Sequence, residues 1–246
     1  MVYDKKAIIS LSGGLDSTCL LLKLLSEGYE VRAYAFNYGQ KHSIELKKLR
    51  KNITFLKKKK LPVNLQVLNL KSVFSDSNSS LKKGNSEIPE GHYESENMKS
   101  TVVENRNIIF SSIIYGKALS WANATNSNVV ITQGIHAGDH TIYPDCTPES
   151  RQAAEHLYKI SNWGSENVDF IAPFETLTKG EVLKEGLNAM EKMGFYKKGI
   201  NKILANTHTC YNPDDKGRSC GKCGSCTERL EAFEFCGMTD PAEYVK

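Results

Sequence analysis

The chain has 246 residues, 40% of them hydrophobic and 24% charged, with a net charge of +4. That length allows one large domain, or a domain with an appendage, and the charge is too mild to argue for nucleic-acid binding. No stretch is apolar for long enough to span a bilayer, and residues 1–6 lack the apolar run of a secretory signal, so a cytoplasmic chain with reduced thiols is expected.

In chain order, residues 6–11 predict a short apolar strand and 16–27 a helix whose Leu20, Leu21, Leu24 and Leu25 share one face. Gly28 ends that helix. A second strand is expected over 30–37, a charged helix over 42–60 and a third strand over 65–70. Residues 57–60, four lysines, read as the solvated end of the second helix. Residues 72–105 are polar, with no period, and suggest a long functional loop such as a lid. Beyond them, helices are expected over 107–125, 149–162 and 178–193, and strands over 128–134 and 168–172. Alternating strands and helices predict an α/β fold: a mainly parallel sheet with helices on both faces. Ligands of such sheets bind beyond the strands' carboxyl ends. After about residue 205 this pattern gives way to a cysteine-rich tail, so the chain divides into an α/β region, 1–205, and a small C-terminal region, 206–246.

Between the first strand and first helix lies Ser12-Gly13-Gly14-Leu15-Asp16-Ser17. Two glycines let the backbone turn tightly and approach a ligand closely. The helix then points free N–H groups and its positive end at the loop, which favours an anion. Ser12 and Ser17 add hydroxyls, whereas Asp16 beside phosphates requires a cation such as Mg²⁺ or a helix-capping role. The lysine of the common phosphate loop is absent. In the tail, Cys220, Cys223 and Cys226 stand three residues apart and Cys210 lies ten residues upstream, a spacing that favours one structural zinc over disulfides, with an iron–sulfur cluster as the rival. Cys19 reads as helix packing.

The string SGGLDS resembles the signature of the PP-loop ATP pyrophosphatases, which share a Rossmann-like fold of the adenine nucleotide alpha hydrolase type. Further segments in order, Asn37 to His42, Arg106-Asn107, Gly134 to Asp139, Tyr143 to Cys146 and Thr209 to Asn212, together with the four cysteines, resemble the 7-cyano-7-deazaguanine synthase family of queuosine biosynthesis. The resemblance implies an ATP-dependent ligase that turns 7-carboxy-7-deazaguanine and ammonia into the nitrile through adenylated carboxylate and amide. It also implies a homodimer with Mg²⁺ and one Zn²⁺ per chain, acting on a small molecule rather than on nucleic acid or membrane.

The residue roles implied by the resemblance are these. The segment Leu11, Ser12, Gly13, Gly14, Leu15, Asp16, Ser17, Thr18, Cys19, Leu20 and Leu21 would hold ATP, with Asp16 and Ser17 catalytic. Lys179 would meet phosphate, and Arg106 would bind a carboxylate or phosphate with its fork. Asp139 and Asp145 would accept from the guanine-like edge, Tyr143 would stack on the base, and Tyr38 and Gln40 complete the substrate set. His136 and His140 are acid–base candidates. The chain departs from the family at Thr147, where arginine is common, and Arg151 is the substitute expected for it. Two other readings remain open: a PP-loop tRNA sulfurtransferase, which would need a catalytic cysteine (Cys19 or Cys146), and a zinc-ribbon nucleic-acid-binding protein.

Overall fold

The computed structural model describes residues 5–92 and 95–246. Five parallel strands form one sheet in the order β3-β2-β1-β4-β5. They are β1 Lys5–Ser10, β2 Tyr29–Asn37, β3 Val63–Asn69, β4 Val129–Gln133 and β5 Val168–Ile171. Central β1 pairs Ile8 with Arg32 of β2 and with Ile131 of β4. The chain therefore builds outward in one direction from β1 and then in the other, which opens a crevice at the carboxyl ends of β1 and β4.

The strands' period of two divides the core. Ala7 and Ile9 face a layer containing α1 (Leu15–Ser26), α2 (Ile44–Lys58) and α5 (Lys179–Lys192). Ile8, Ile131 and Phe170 face α3 (Arg106–Thr125) and α4 (Pro148–Ser161). Pro148 opens α4 and Thr147 caps it, its hydroxyl accepting from Ser150 N at 3.2 Å. Thr147 thus caps the start of a helix rather than facing a ligand.

Two helices escaped the sequence pattern, α6 (Lys197–Ala205) and α7 (Gly224–Phe235). The tail is not a loose appendage. Cys210, Cys223 and Cys226 belong to the same apolar cluster as Ile8 and Phe36, while Phe233 of α7 joins the cluster on the other face. Arg229 of α7, 1% exposed, forks onto Asp240 at 2.6 and 2.9 Å and donates to Thr207, Thr209 and the Leu204 carbonyl.

Several described residues of 72–105 are likewise packed, in a segment whose sequence suggested a functional loop such as a lid. Phe74 and Leu81 are buried beside Phe110, Lys82 donates to the Tyr38 carbonyl at 2.9 Å, and Ser80 N reaches Ser100 O at 2.8 Å. A short 3₁₀ turn, Glu96–Thr101, buries Met98 and Thr101. Tyr93 and Glu94, within that segment, lie outside the described residues. Among the described residues no helix is long and apolar enough to cross a membrane.

Candidate active site

A cavity of about 190 Å³ sits at the crevice between β1 and β4. One wall is the loop from β1 into α1. Ser12 Oγ and Ser17 Oγ lie 2.9 Å apart, Gly13 N donates to Ser17 Oγ at 3.3 Å and Gly14 N to Ser12 Oγ at 3.1 Å. Gly13 has φ +95°, and a Cβ there would stand 3.0 Å from Leu49 Cβ, so glycine is required for this path under α2. At the end of β4, a Cβ on Gly134 would fall 2.8 Å from Ser17 N and Cα. That close approach brings the ends of β1 and β4 into one concave surface.

Asp16 lies in the first turn of α1 with its side chain 16% exposed. Its Oδ2 pairs with Lys179 Nζ at 3.1 Å, while Oδ1 is buried without a hydrogen-bond partner. Burial pushes the Asp16 carboxyl up, but Lys179 and His136 outweigh it and hold the group below its ordinary value. An ionised carboxylate with one oxygen orphaned is a fitting ligand for a hard cation such as Mg²⁺. Lys179 is buried, not a surface lysine, and also meets Glu228 at 2.8 Å and His136 Nε2 at 3.3 Å. Burial works against its charge, yet Asp16 and Glu228 hold its pKa above the ordinary lysine value. It is aimed there by a capping box, in which Thr178 Oγ1 accepts from Glu181 N and the Glu181 carboxylate accepts from Thr178 N at 2.8 Å.

The opposite wall is aromatic and carries Arg106. This guanidinium starts α3, donates to Tyr38 Oη at 3.3 Å and lies over the rings of Tyr38 and Tyr143 at 5.6 and 5.9 Å. Among the described residues no carboxylate comes within 4.0 Å of it. Burial opposes its charge, but Tyr38, Tyr143, Tyr211 and Asp145 keep it firmly protonated. Phe36 stacks on Phe110 at 4.0 Å, and Tyr143 Oη is fixed by Thr101 at 2.9 Å. The tail closes the cavity with His208, Thr209, Tyr211 and Ser225, and His208 N donates to Gly13 O at 2.9 Å.

Of the residues expected in the site, Ser12, Gly14, Asp16, Ser17, Tyr38, Arg106, Asp139, Tyr143 and Lys179 line the cavity. Leu11, Leu15, Cys19, Leu20 and Leu21 instead bury their side chains in the core, and Thr18 is buried as well. Asp145 turns away to cap α3, accepting from Asn107 N and Nδ2 at 3.0 and 3.1 Å. Gln40 is fully buried behind the wall, accepting from Tyr38 N and donating to Phe36 O and Glu45 Oε1. Arg151 is committed to Glu175 at 2.8 Å and to the Phe170 carbonyl, so it does not replace an arginine at Thr147. His136 caps the turn Ala137–Thr141 through Nδ1 and is 1% exposed. His42, Glu45, Phe36 and Phe110 complete the lining without having been expected there. Phe36 ends β2, His42 closes the segment Asn37 to His42 that carried the resemblance, Glu45 lies in the first turn of the charged α2 and Phe110 lies inside α3.

Neither candidate nucleophilic cysteine is suited to attack. Cys19 is buried beneath the loop with its thiol pushed far up by burial. Cys146 lines the cavity, but burial and then Asp139 and Asp145 raise it well above the usual thiol range. In the tail, the four sulfurs of Cys210, Cys220, Cys223 and Cys226 all lie within 4.8 Å of one another, with Cys220 and Cys226 at 3.9 Å. A tetrahedron with metal–sulfur bonds of about 2.3 Å has edges of about 3.8 Å, so this set fits one ion. Cys220 N and Cys223 N donate to Cys210 Sγ and Cys220 Sγ at 3.2 and 3.4 Å, which holds these sulfurs in place.

Residues 6–237 match the model of the family described as queuosine biosynthesis protein QueC. The chain is similar to the 7-cyano-7-deazaguanine synthase of Marinomonas sp. (strain MWYL1), 43% identical over 98% of this chain and 99% of that protein. It is similar to the enzyme of the same name from Methanoregula boonei, 41% identical over 97% and 99%. Among solved structures, a 4-thiouridine synthetase–RNA complex with bound ATP is similar at 18% identity and a TM-score of 0.43, over 92% of this chain and 50% of that one.

Proposed function

The chain belongs to the queuosine biosynthesis protein QueC family, and from that premise we propose that it is an ATP-dependent ligase converting 7-carboxy-7-deazaguanine and ammonia to 7-cyano-7-deazaguanine. One observation carries the reading: a single cavity joins a loop of anion-binding donors to an arginine that has no carboxylate partner among the described residues, set among aromatic rings. Such a site suits a substrate that is planar, carries a carboxylate and must be brought up to a polyphosphate.

The residues divide the work accordingly. Arg106 pairs with the substrate carboxylate and holds one of its oxygens toward the α-phosphorus of ATP. Tyr143 and Phe110 cover the ring, and Asp139 accepts from its N–H edge. Ser12, Gly14 and Ser17 take up the negative charge that develops on the departing pyrophosphate. Asp16 is the ligand for Mg²⁺, which offsets phosphate charge when bound. Lys179 keeps Asp16 ionised and adds a positive charge at the same end. Ammonia displaces AMP from the adenylate to give the amide, and a second ATP activates the amide oxygen so that loss of AMP leaves the nitrile. Water would hydrolyse the adenylate, and the aromatic wall of Phe36, Tyr38, Phe110 and Tyr143, backed by Phe74 and Leu81, limits its access. Cys210, Cys220, Cys223 and Cys226 are assigned one structural zinc that fixes the tail over the cavity. The reading includes a homodimer, for which α4 offers exposed Leu157 and Ile160 one turn apart.

Incubation of zinc-replete protein with ATP, Mg²⁺, ammonium and 7-carboxy-7-deazaguanine should yield amide, nitrile, AMP and pyrophosphate by mass spectrometry. The absence of both amide and nitrile would remove this function.

A further inference from the structure

Besides Asp16 and Asp139, a third and more deeply buried carboxyl stands in the cavity, and neither the phosphate loop nor the arginine wall uses it. Glu45 is 6% exposed and lines the cavity from the first turn of α2, directly beneath Gly13. Gln40 Nε2 grips its Oε1 at 2.8 Å, and His42 Nε2 lies 3.6 Å from the same oxygen. Where Asp16 has Lys179, Glu45 has no lysine or arginine within 4.0 Å among the described residues. The groups that face it are His42, Arg106 and Tyr38, with His208 behind His42. His42 supplies no charge, since burial and then His208 and Arg106 press its pKa down to about 3. A buried carboxyl oriented by an amide, beside aromatic rings and without a protein counter-ion, is a socket for a small cation.

We propose that Glu45 binds the ammonium ion and is the base that frees its nitrogen for attack. Resting on the ligase reading above, this names the residue that handles the second substrate. In its ionised form, which a bound ammonium favours, Glu45 forms an ion pair with ammonium, and one N–H proton passes to it, leaving ammonia. The nitrogen lone pair forms the C–N bond at the adenylate carbonyl carbon, the C–O bond to AMP breaks, and AMP leaves with that electron pair. The adduct's extra proton goes to solvent, as does the one on Glu45 before the next turnover. Burial raises the Glu45 carboxyl to about 8, against the lowering effect of Gln40 and Arg106, which makes it far more basic than an exposed glutamate. Gln40 and His42 are positioning residues.

The decisive variant is Glu45→Gln, which keeps the shape and an oxygen for Gln40. Three rates are compared in wild type and variant at neutral pH: carboxylate-dependent ATP–pyrophosphate exchange, amide formation from ammonium, and hydroxamate formation from hydroxylamine, whose nitrogen is already unprotonated. The expected result is amide formation down by about 100-fold or more, with exchange and hydroxamate formation within about threefold of wild type. Glu45→Asp should recover part of the ammonium rate. Undiminished amide formation in the glutamine variant would overturn the assignment. So would equal loss of all three rates in both variants, which would mark Glu45 as part of the frame. Absence of exchange in the wild type would instead strike the ligase reading itself.

Discussion

Replacing Arg229 by methionine tests what ties the tail to the sheet. Arg229 and Asp240 are 1% and 2% exposed at their side chains, and each satisfies the other through two short bonds. Among the described residues, removing the guanidinium leaves a buried carboxylate held by Tyr244 Oη at 2.6 Å and Ala242 N at 3.0 Å. Breaking such a pair from one side costs about 3–5 kcal/mol. At roughly 2–4 °C per kcal/mol for a chain of this size, Tm should fall by about 6–20 °C. Burial raises the Asp240 carboxyl, but Arg229 lowers it further, so its folded pKa lies below the unfolded value. In the wild type its stabilisation is therefore present above the unfolded carboxylate pKa and is lost as pH falls through the folded one. In Arg229→Met the depression is gone, and the deficit in Tm should shrink as pH is lowered and Asp240 takes up a proton. Adding Asp240→Asn should recover part of the loss. Thermal scans of zinc-replete protein measure all of this. A Tm within about 2 °C of wild type, or strictly additive losses in the double variant, would refute the reasoning.

Gly134→Ala, whose Cβ would press on the Ser17 backbone, should lower ATP–pyrophosphate exchange by at least about tenfold while circular dichroism stays native. Lys179→Met leaves Asp16 and Glu228 without their shared cation; Tm should drop by several degrees at pH 8 and exchange should fall by about 100-fold or more, as steady-state assays would show. Arg151→Ala, outside the cavity, should leave AMP formation within about twofold. Metal analysis should return one zinc per chain, and strong chelation should abolish activity as the tail loosens, followed by hydrogen exchange at residues 207–226.

The strands and most helices were legible to within two residues because period and punctuation agree there. Thus 30–37 became Tyr29–Asn37, and 178–193 became Lys179–Lys192. Helix α7 was hidden by its start inside the cysteine cluster, where metal spacing masks helical period. The strand order was not written in any local pattern, since it depends on which strands pair. At the site, the loop could be read because glycines and hydroxyls carry the chemistry locally. Asp145 could not: whether a carboxylate meets a ligand or a helix N-terminus depends on α3, far away in sequence. Glu45 was masked for a related reason, since a glutamate on a lysine-rich helix looks solvated until its burial is seen.

The return of the tail to the loop has a temporal consequence. Because His208 N bonds Gly13 O, and because Tyr211 and Ser225 wall the cavity, a growing chain stopped before residue 207 possesses the complete phosphate loop but no enclosure around it. Any adenylate made there would meet bulk water. Ser219 N donates to Glu243 O and Val245 N to Ser219 O, so the enclosure is latched only once residues 243–245 have folded back onto it. On the proposed reading a protected adenylate thus has to wait for the tail, since one formed before residues 208–225 close the cavity would be open to hydrolysis.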